Sequence, residues 1–123
     1  MPARIPAPRH GFGAYLSIAY WPDPQLVRTR EGARRLAAQL GDRNAIVMRG
    51  NGAIIVADSI ERAVVLAWYL EDAARVELDV LQTRTDDGLV LTDEEARSRA
   101  TWSGGIAERM WTHLTAGDLR STD

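Results

Sequence analysis

The chain has 123 residues, with seventeen acidic and fifteen basic side chains, a formal net charge of -2 and no cysteine. A nearly balanced mixture of charges provides no long-range electric field that would attract nucleic acid or an anionic membrane. The lack of cysteine excludes disulfides, thiolate metal sites and cysteine nucleophiles. All fifteen basic residues are arginine, so a Schiff-base lysine mechanism is excluded for this chain on its own.

The length suits a single domain that spans residues 1–123. Residues 1–9 contain prolines at positions 2, 6 and 8 and are predicted to form an extended arm. The longest apolar run, residues 63–70, is too short to cross a membrane, and residues 1–8 lack the apolar run that a signal peptide needs. We therefore expect a cytoplasmic protein that binds neither membranes nor nucleic acid.

The first half of the chain alternates strand and helix signals. Residues 15–20 are apolar and aromatic and predict a short strand, which Trp21-Pro22-Asp23-Pro24 ends. Residues 29–40 predict a helix with one apolar face, capped by Thr29 and Gly41.

Two further strands are predicted at residues 44–48 and 53–57. Both are continuous apolar runs rich in β-branched side chains, which is typical of strands covered on both faces. Asn-Gly between two such runs is a strong hairpin signal, with positive φ expected at both Asn51 and Gly52.

The second half of the chain is predicted to be helical. Residues 58–61 have the form of a capping box and open a long helix over residues 60–82, whose first half is apolar nearly all round. Such a helix is expected to be buried on more than one side, by the sheet and a second helix or by another subunit. A second capping box at residues 92–95, a last helix at 106–114 and a flexible tail at 116–123 complete the chain.

Several stretches resemble one known family. Residues 44–63, NAIVMRGNGAIIVADSIERA, and the helix segment 69–75, YLEDAAR, are similar to segments of the class II aldolase/adducin family. In that family a buried strand leads into Arg-Gly-His-Gly, a second buried strand, and Asp-Ser at the start of a helix. The resemblance covers residues 8–114 and corresponds to the C-terminal part of the domain.

The resemblance implies an α/β/α three-layer sandwich, here incomplete. Family enzymes are usually tetramers with active sites between subunits, and they use a divalent metal, usually zinc, to cleave carbon–carbon bonds. Related members decarboxylate aromatic or keto acids, and adducin-type heads only assemble.

The chain departs from the family pattern at the metal site. The family's His-X-His pair and catalytic glutamate are expected upstream of the matched part, and the remaining metal-binding histidine falls at Asn51. An amide oxygen is a poor zinc ligand beside imidazole. A zinc-type metal is therefore expected only with ligands from a missing segment or a partner, and no catalytic residue is assigned.

Three residues are candidates for the site. Asn51 is either a substitute metal ligand or a residue required only by the turn, and we favour the turn. His10 faces a substrate or is an ordinary loop histidine. Arg49 binds a substrate carboxylate or, as we favour, anchors the loop. His113 and the carboxylates of Asp58 and Glu61 do not share a spacing that points to one metal centre.

The leading functional hypothesis is a component of a metal-dependent carbon–carbon lyase, an aldolase or decarboxylase that acts on a small hydroxy, keto or aromatic acid or on a sugar phosphate. Such a component is inactive alone, and its missing N-terminal half comes from a separate partner chain, or the chain is truncated. Either a tetramer-like homo-oligomer or a complex with that partner chain is expected. The alternative is a non-catalytic, adducin-like assembly module. A third hypothesis is a small binding subunit in which His10 and Arg49 hold an acidic ligand.

Overall fold

The computed structural model describes residues 11–84 and 89–118. Its elements, in chain order, are a 3-10 helix at Gly11–Tyr15, β1 at Ile18–Trp21, α1 at Arg30–Leu40, β2 at Ala45–Met48, β3 at Gly52–Ile55, α2 at Ile60–Gln82, α3 at Asp93–Arg99 and α4 at Ile106–Thr115. The predicted arm at residues 1–9, His10 and residues 119–123 of the predicted tail lie outside the described residues.

The three strands form one mixed sheet in the order β1-β2-β3. β1 runs parallel to β2, and β2 runs antiparallel to β3. The register places Ala19, Ile46 and Ile54 side by side on one face of the sheet. The predicted hairpin between the second and third strands is confirmed.

Helices cover the two faces of the sheet and make three layers. On one face, Leu36 of α1 packs with Ala19 of β1 and Ile46 of β2. On the other face, Leu66 of α2 packs with Ala45. This α/β/α arrangement, built on few strands, confirms the predicted fold class.

The first strand begins later than predicted. Residues 11–15 form a 3-10 helix, and β1 starts only at Ile18. Asn44 connects the two elements, because its side-chain amide donates to the carbonyl oxygen of Tyr15 at 2.7 Å and its side-chain oxygen accepts from the backbone N–H of Ser17 at 2.8 Å. These two hydrogen bonds turn the chain before it joins the sheet.

The prediction that both hairpin strands are covered on two faces is wrong for β3. Ile46 of β2 is fully buried, whereas its cross-strand neighbour Ile54 is 37% exposed. The reason is the position of α1, which packs on β1 and β2. β3 is thus an edge strand with apolar side chains at the surface.

The long helix α2 has the predicted bounds but is buried on one side. Val65, Leu66, Tyr69 and Ala73 face inward, toward the sheet, the 3-10 helix and α4. The opposite side carries exposed apolar residues, including Ile60 at 72% and Trp68 at 52% exposure. The sheet and a second helix thus cover α2 as predicted, while the side opposite them stays exposed within the described residues.

The N-caps of α1 and α3 lie where the sequence predicts them, whereas the N-cap of α2 lies one residue later than the predicted Asp58. Thr29 and Ser59 cap α1 and α2 by accepting from the backbone N–H groups of Gly32 and Arg62. Thr92 and Glu95 form the complete capping box predicted for α3. In α2 the third helical residue is Arg62, so Glu61 does not complete a capping box there.

Among the described residues, no helix has both the length and the apolar character that a membrane span requires.

Candidate functional site

The turn between β2 and β3 has a different geometry from the predicted one. The backbone N–H of Asn51 donates to the carbonyl oxygen of Met48 at 3.1 Å, and Gly50 has a φ of 67°. Positive φ at the third residue of such a turn is the requirement of type II turns, which glycine meets. Neither Asn51 nor Gly52 has positive φ. The turn therefore depends on Gly50. The backbone conformation of the turn does not explain why position 51 is asparagine.

Arg49 and Asn51 lie at the carboxyl ends of two parallel strands. In open α/β sheets ligands bind in the crevice outside such strand ends. The backbone N–H of Arg49 donates to the carbonyl oxygen of Trp21 at 2.9 Å and extends the β1–β2 pairing by one residue. Its guanidinium donates to the carbonyl oxygen of Pro22 at 3.4 Å and so contacts the loop after β1. Both side chains are exposed.

The same end of the sheet contains a buried donor without an acceptor. The indole Nε1 of Trp21, the last residue of β1, is buried and makes no hydrogen bond within the described chain. Buried N–H groups are rarely left without a partner. We therefore expect an acceptor for this N–H group from outside the described residues.

The described residues do not assemble a zinc-type donor set. No group of three or more His, Asp or Glu side chains comes together within residues 11–84 and 89–118. Asp58 and Glu61 follow the far end of β3, away from Asn51, and Asp58 pairs instead with Arg62 at 3.6 Å. His113 lies in the last turn of α4, which packs on α2. The residues described here do not by themselves fit the metal that the family resemblance implies.

The opposite end of the sheet has an open cleft of about 380 Å³ that the sequence did not predict. Residues before β2 and after β3 line it, together with Arg62 and two aromatic residues. The guanidinium of Arg62 lies 5.0 Å from the ring centre of Trp102, and the rings of Trp102 and Tyr15 are 5.1 Å apart. This arrangement stacks a cation on an aromatic face. The i,i+4 spacing of Asp58 and Arg62, which places both side chains on one side of the helix start, is the sequence signal for this part of the cleft.

Tyr69 lies behind this aromatic pair, in the core. Its ring centre is 5.1 Å from that of Tyr15, and its side chain is almost fully buried. Burial, and to a lesser extent the nearby Tyr15, raises the pKa of Tyr69 above its ordinary value of 10.0. The group is neutral over the physiological range and acts as a core residue.

Comparison with known families identifies the chain. The sequence model of the class II aldolase and adducin N-terminal domain matches residues 4–78, which is more than half of the chain. The chain belongs to the class II aldolase/adducin family. None of the curated proteins compared with it gives a significant match.

One solved structure has the same fold as this family member. It is described as an aldolase II superfamily protein from Pseudomonas syringae, and it superposes with a TM-score of 0.70 at 23% sequence identity. The match covers 93% of the present chain and 48% of that protein. The family member therefore spans about half the length of this structural relative.

Proposed function

We propose that this chain is one component of a metal-dependent carbon–carbon lyase of the class II aldolase type, inactive by itself. Its substrate would be a small hydroxy, keto or aromatic acid or a sugar phosphate. The chain would contribute the sheet end that carries Arg49 and Asn51, and the metal-binding histidines would come from a missing segment or a partner. This assignment rests on family membership, because fold alone does not determine the reaction.

One observation carries the proposal. Two of the three candidate residues, Arg49 and Asn51, lie together at the carboxyl ends of the parallel strands β1 and β2. The unpaired Nε1 of Trp21 at the same end supports a missing acceptor there. The match covers only about half of the structural relative, which supports metal ligands from a missing segment or a partner.

The test is purification of the tagged chain from its natural host, followed by mass spectrometry and metal analysis. We expect a co-purifying polypeptide that contains His-X-His, with zinc or another divalent metal in the complex and absent from the chain alone. Within the complex, Asn51→His should tighten metal binding, while the matched exposed change Gln25→His should leave it unaltered. A purified protein in which no polypeptide contains His-X-His, or equal metal affinity of the two variants, would refute the proposal.

The alternative proposal is a non-catalytic assembly module, similar in role to adducin heads. The exposed apolar residues of α2 and β3 favour it, because surfaces of this kind are typical of assembly. It requires that the assembled protein bind no divalent metal and that Asn51→Ala leave assembly unchanged. Metal-dependent lyase activity from the chain alone would exclude it.

A further inference from the structure

The outward side of α2 has a heptad pattern. Apolar or small residues recur at alternating spacings of four and three, with a single acidic residue among them: Ile60, Val64, Ala67, Glu71, Ala74 and Leu78. Leu81 continues the series. This is the spacing of the a and d positions of a coiled coil, whose average of 3.5 residues per turn keeps one seam facing a partner helix. We call these seven positions the α2 seam.

The α2 seam is open in the described chain. Val64 is half-buried and the other six residues are exposed, with Leu81 reaching 71% exposure. The inward side of the same helix is already packed against the sheet, the 3-10 helix and α4. This seam, about 30 Å along the helix, contributes no residue to the hydrophobic clusters of the described part of the chain.

We infer that the α2 seam pairs with the same seam of a second copy of this chain, antiparallel, about a twofold axis midway between Ala67 and Glu71. This axis brings Ile60 of each copy opposite Leu78 of the other, and Val64 opposite Ala74. The small side chains of Ala67 and Ala74 let the two helices approach closely. Because both copies use the same surface, the contact is isologous, and the two copies form a closed dimer.

The charged residues select the antiparallel orientation. In a parallel pair the two Glu71 side chains would face each other in the seam, and like charges there destabilise the pair. In the antiparallel pair each Glu71 faces Ala67 and keeps its own partner, since Arg75 of the same helix donates to its carboxylate at 2.6 Å.

The residues beside the seam are also complementary under the same axis. Glu61, Trp68 and Arg75 flank it at heptad intervals, and all three are exposed. Antiparallel pairing places Glu61 of one copy beside Arg75 of the other, twice in the dimer. It also places Trp68 beside its own equivalent, near the axis, where a half-exposed indole would lose its contact with water. Pairing of opposite charges at these flanks is how coiled coils select partner and orientation.

This interface holds whether or not the chain takes part in catalysis, so its test is separate from the test of function. The chain has no cysteine, so single cysteines can be introduced at will. Trp68→Cys places a thiol near the axis, whereas Leu81→Cys places two thiols about 36 Å apart. With a short bis-maleimide we expect dimer formation from Trp68→Cys and none from Leu81→Cys. Crosslinking of Leu81→Cys, or of neither variant, would overturn the inference.

Sedimentation equilibrium of the purified chain supplies the second measurement. We expect a monomer–dimer equilibrium that Ala67→Glu weakens at least about tenfold, because a second carboxylate then faces Glu71. Ala38→Glu, the same change on the exposed side of α1, should leave the equilibrium unchanged. Glu61→Arg should also weaken the dimer, because two arginines then lie beside each other at each flank. A chain that is monomeric at every concentration, or an Ala67→Glu dimer of unchanged affinity, would overturn the inference.

Discussion

Single residues decide the geometry of the candidate site. Gly50 adopts the positive φ that the β2–β3 turn requires, and this leaves Asn51 with a backbone that any residue can adopt. At the position where the family resemblance implies a histidine, the asparagine is therefore not required by the backbone of the turn.

The two glycines that flank Asn51 allow a direct test of this turn. Gly50→Ala should lower the free energy of unfolding by about 1 kcal/mol or more, because alanine is strained at positive φ. Gly52→Ala should cost little, because Gly52 has no positive φ and an added Cβ meets no atom within 4 Å. Chemical denaturation of both variants measures the difference. Equal costs would contradict the observed turn.

Tyr69 provides a prediction on pH. Its folded-state pKa is raised mainly by burial, so the unfolded chain releases this proton first as the pH rises. The stability that its neutral form contributes is complete below the ordinary value of 10.0 and is lost as the pH rises through the folded-state value. Denaturation at about pH 9 and about pH 11 should show a smaller pH-dependent loss for Tyr69→Phe than for the natural chain. Identical losses would refute the assignment.

At the scale of elements, coverage by neighbouring helices distinguishes strands with similar sequences. β2 and β3 are both apolar and are paired with each other, yet α1 packs on β2 and leaves β3 exposed. Hydrophobicity alone predicted two equally buried strands, because an apolar run carries no information about the number of helices above it.

Ile46 and Ile54 are a matched pair for testing this difference, since they are cross-strand neighbours on the same face. Ile46→Ala should lower the free energy of unfolding by about 3 kcal/mol, the usual cost of a cavity at a buried site. Ile54→Ala should cost less than half as much. Thermal or chemical denaturation of both variants decides the matter, and a larger effect at Ile54 would show that β3 is covered in solution.

At the scale of the whole molecule, an aromatic group connects the elements on the α2 side of the sheet. Tyr15 and Trp102 pack against both hydrophobic clusters on this side, one with Leu66 and one with Tyr69. The Tyr15 hydroxyl also donates to the carbonyl oxygen of Thr101 at 2.8 Å, which attaches the loop between α3 and α4 to the first element of the chain.

Because Trp102 is shared by the two clusters, its removal should weaken the whole structure at once. Trp102→Ala should lower the free energy of unfolding by about 2 kcal/mol while retaining one cooperative transition. Circular dichroism and fluorescence of the remaining tryptophans should report the same midpoint. The exposed-site control Leu26→Ala should change stability by less than about 0.5 kcal/mol. Separate midpoints for the two probes would indicate independent clusters.

The sequence by itself determined the properties that depend on neighbouring residues along the chain. The spacing of apolar residues and the capping side chains predicted α1 and α2 to within a residue, and the capping box of Thr92 and Glu95 formed as expected. The resemblance at residues 44–63 predicted the family and the three-layer fold. These features rest on local hydrogen bonds and side-chain periodicity, which the order of residues specifies directly.

Only the tertiary structure decided which surfaces are covered and which residues meet. In it, β3 and the outer side of α2 are exposed, the positive φ of the turn is at Gly50 and not at Asn51 and Gly52, and Arg62 lies on Trp102. Each of these outcomes depends on contacts between residues distant in sequence. Burial and side-chain partners are set by the packing of whole elements, and periodicity along one element cannot specify them.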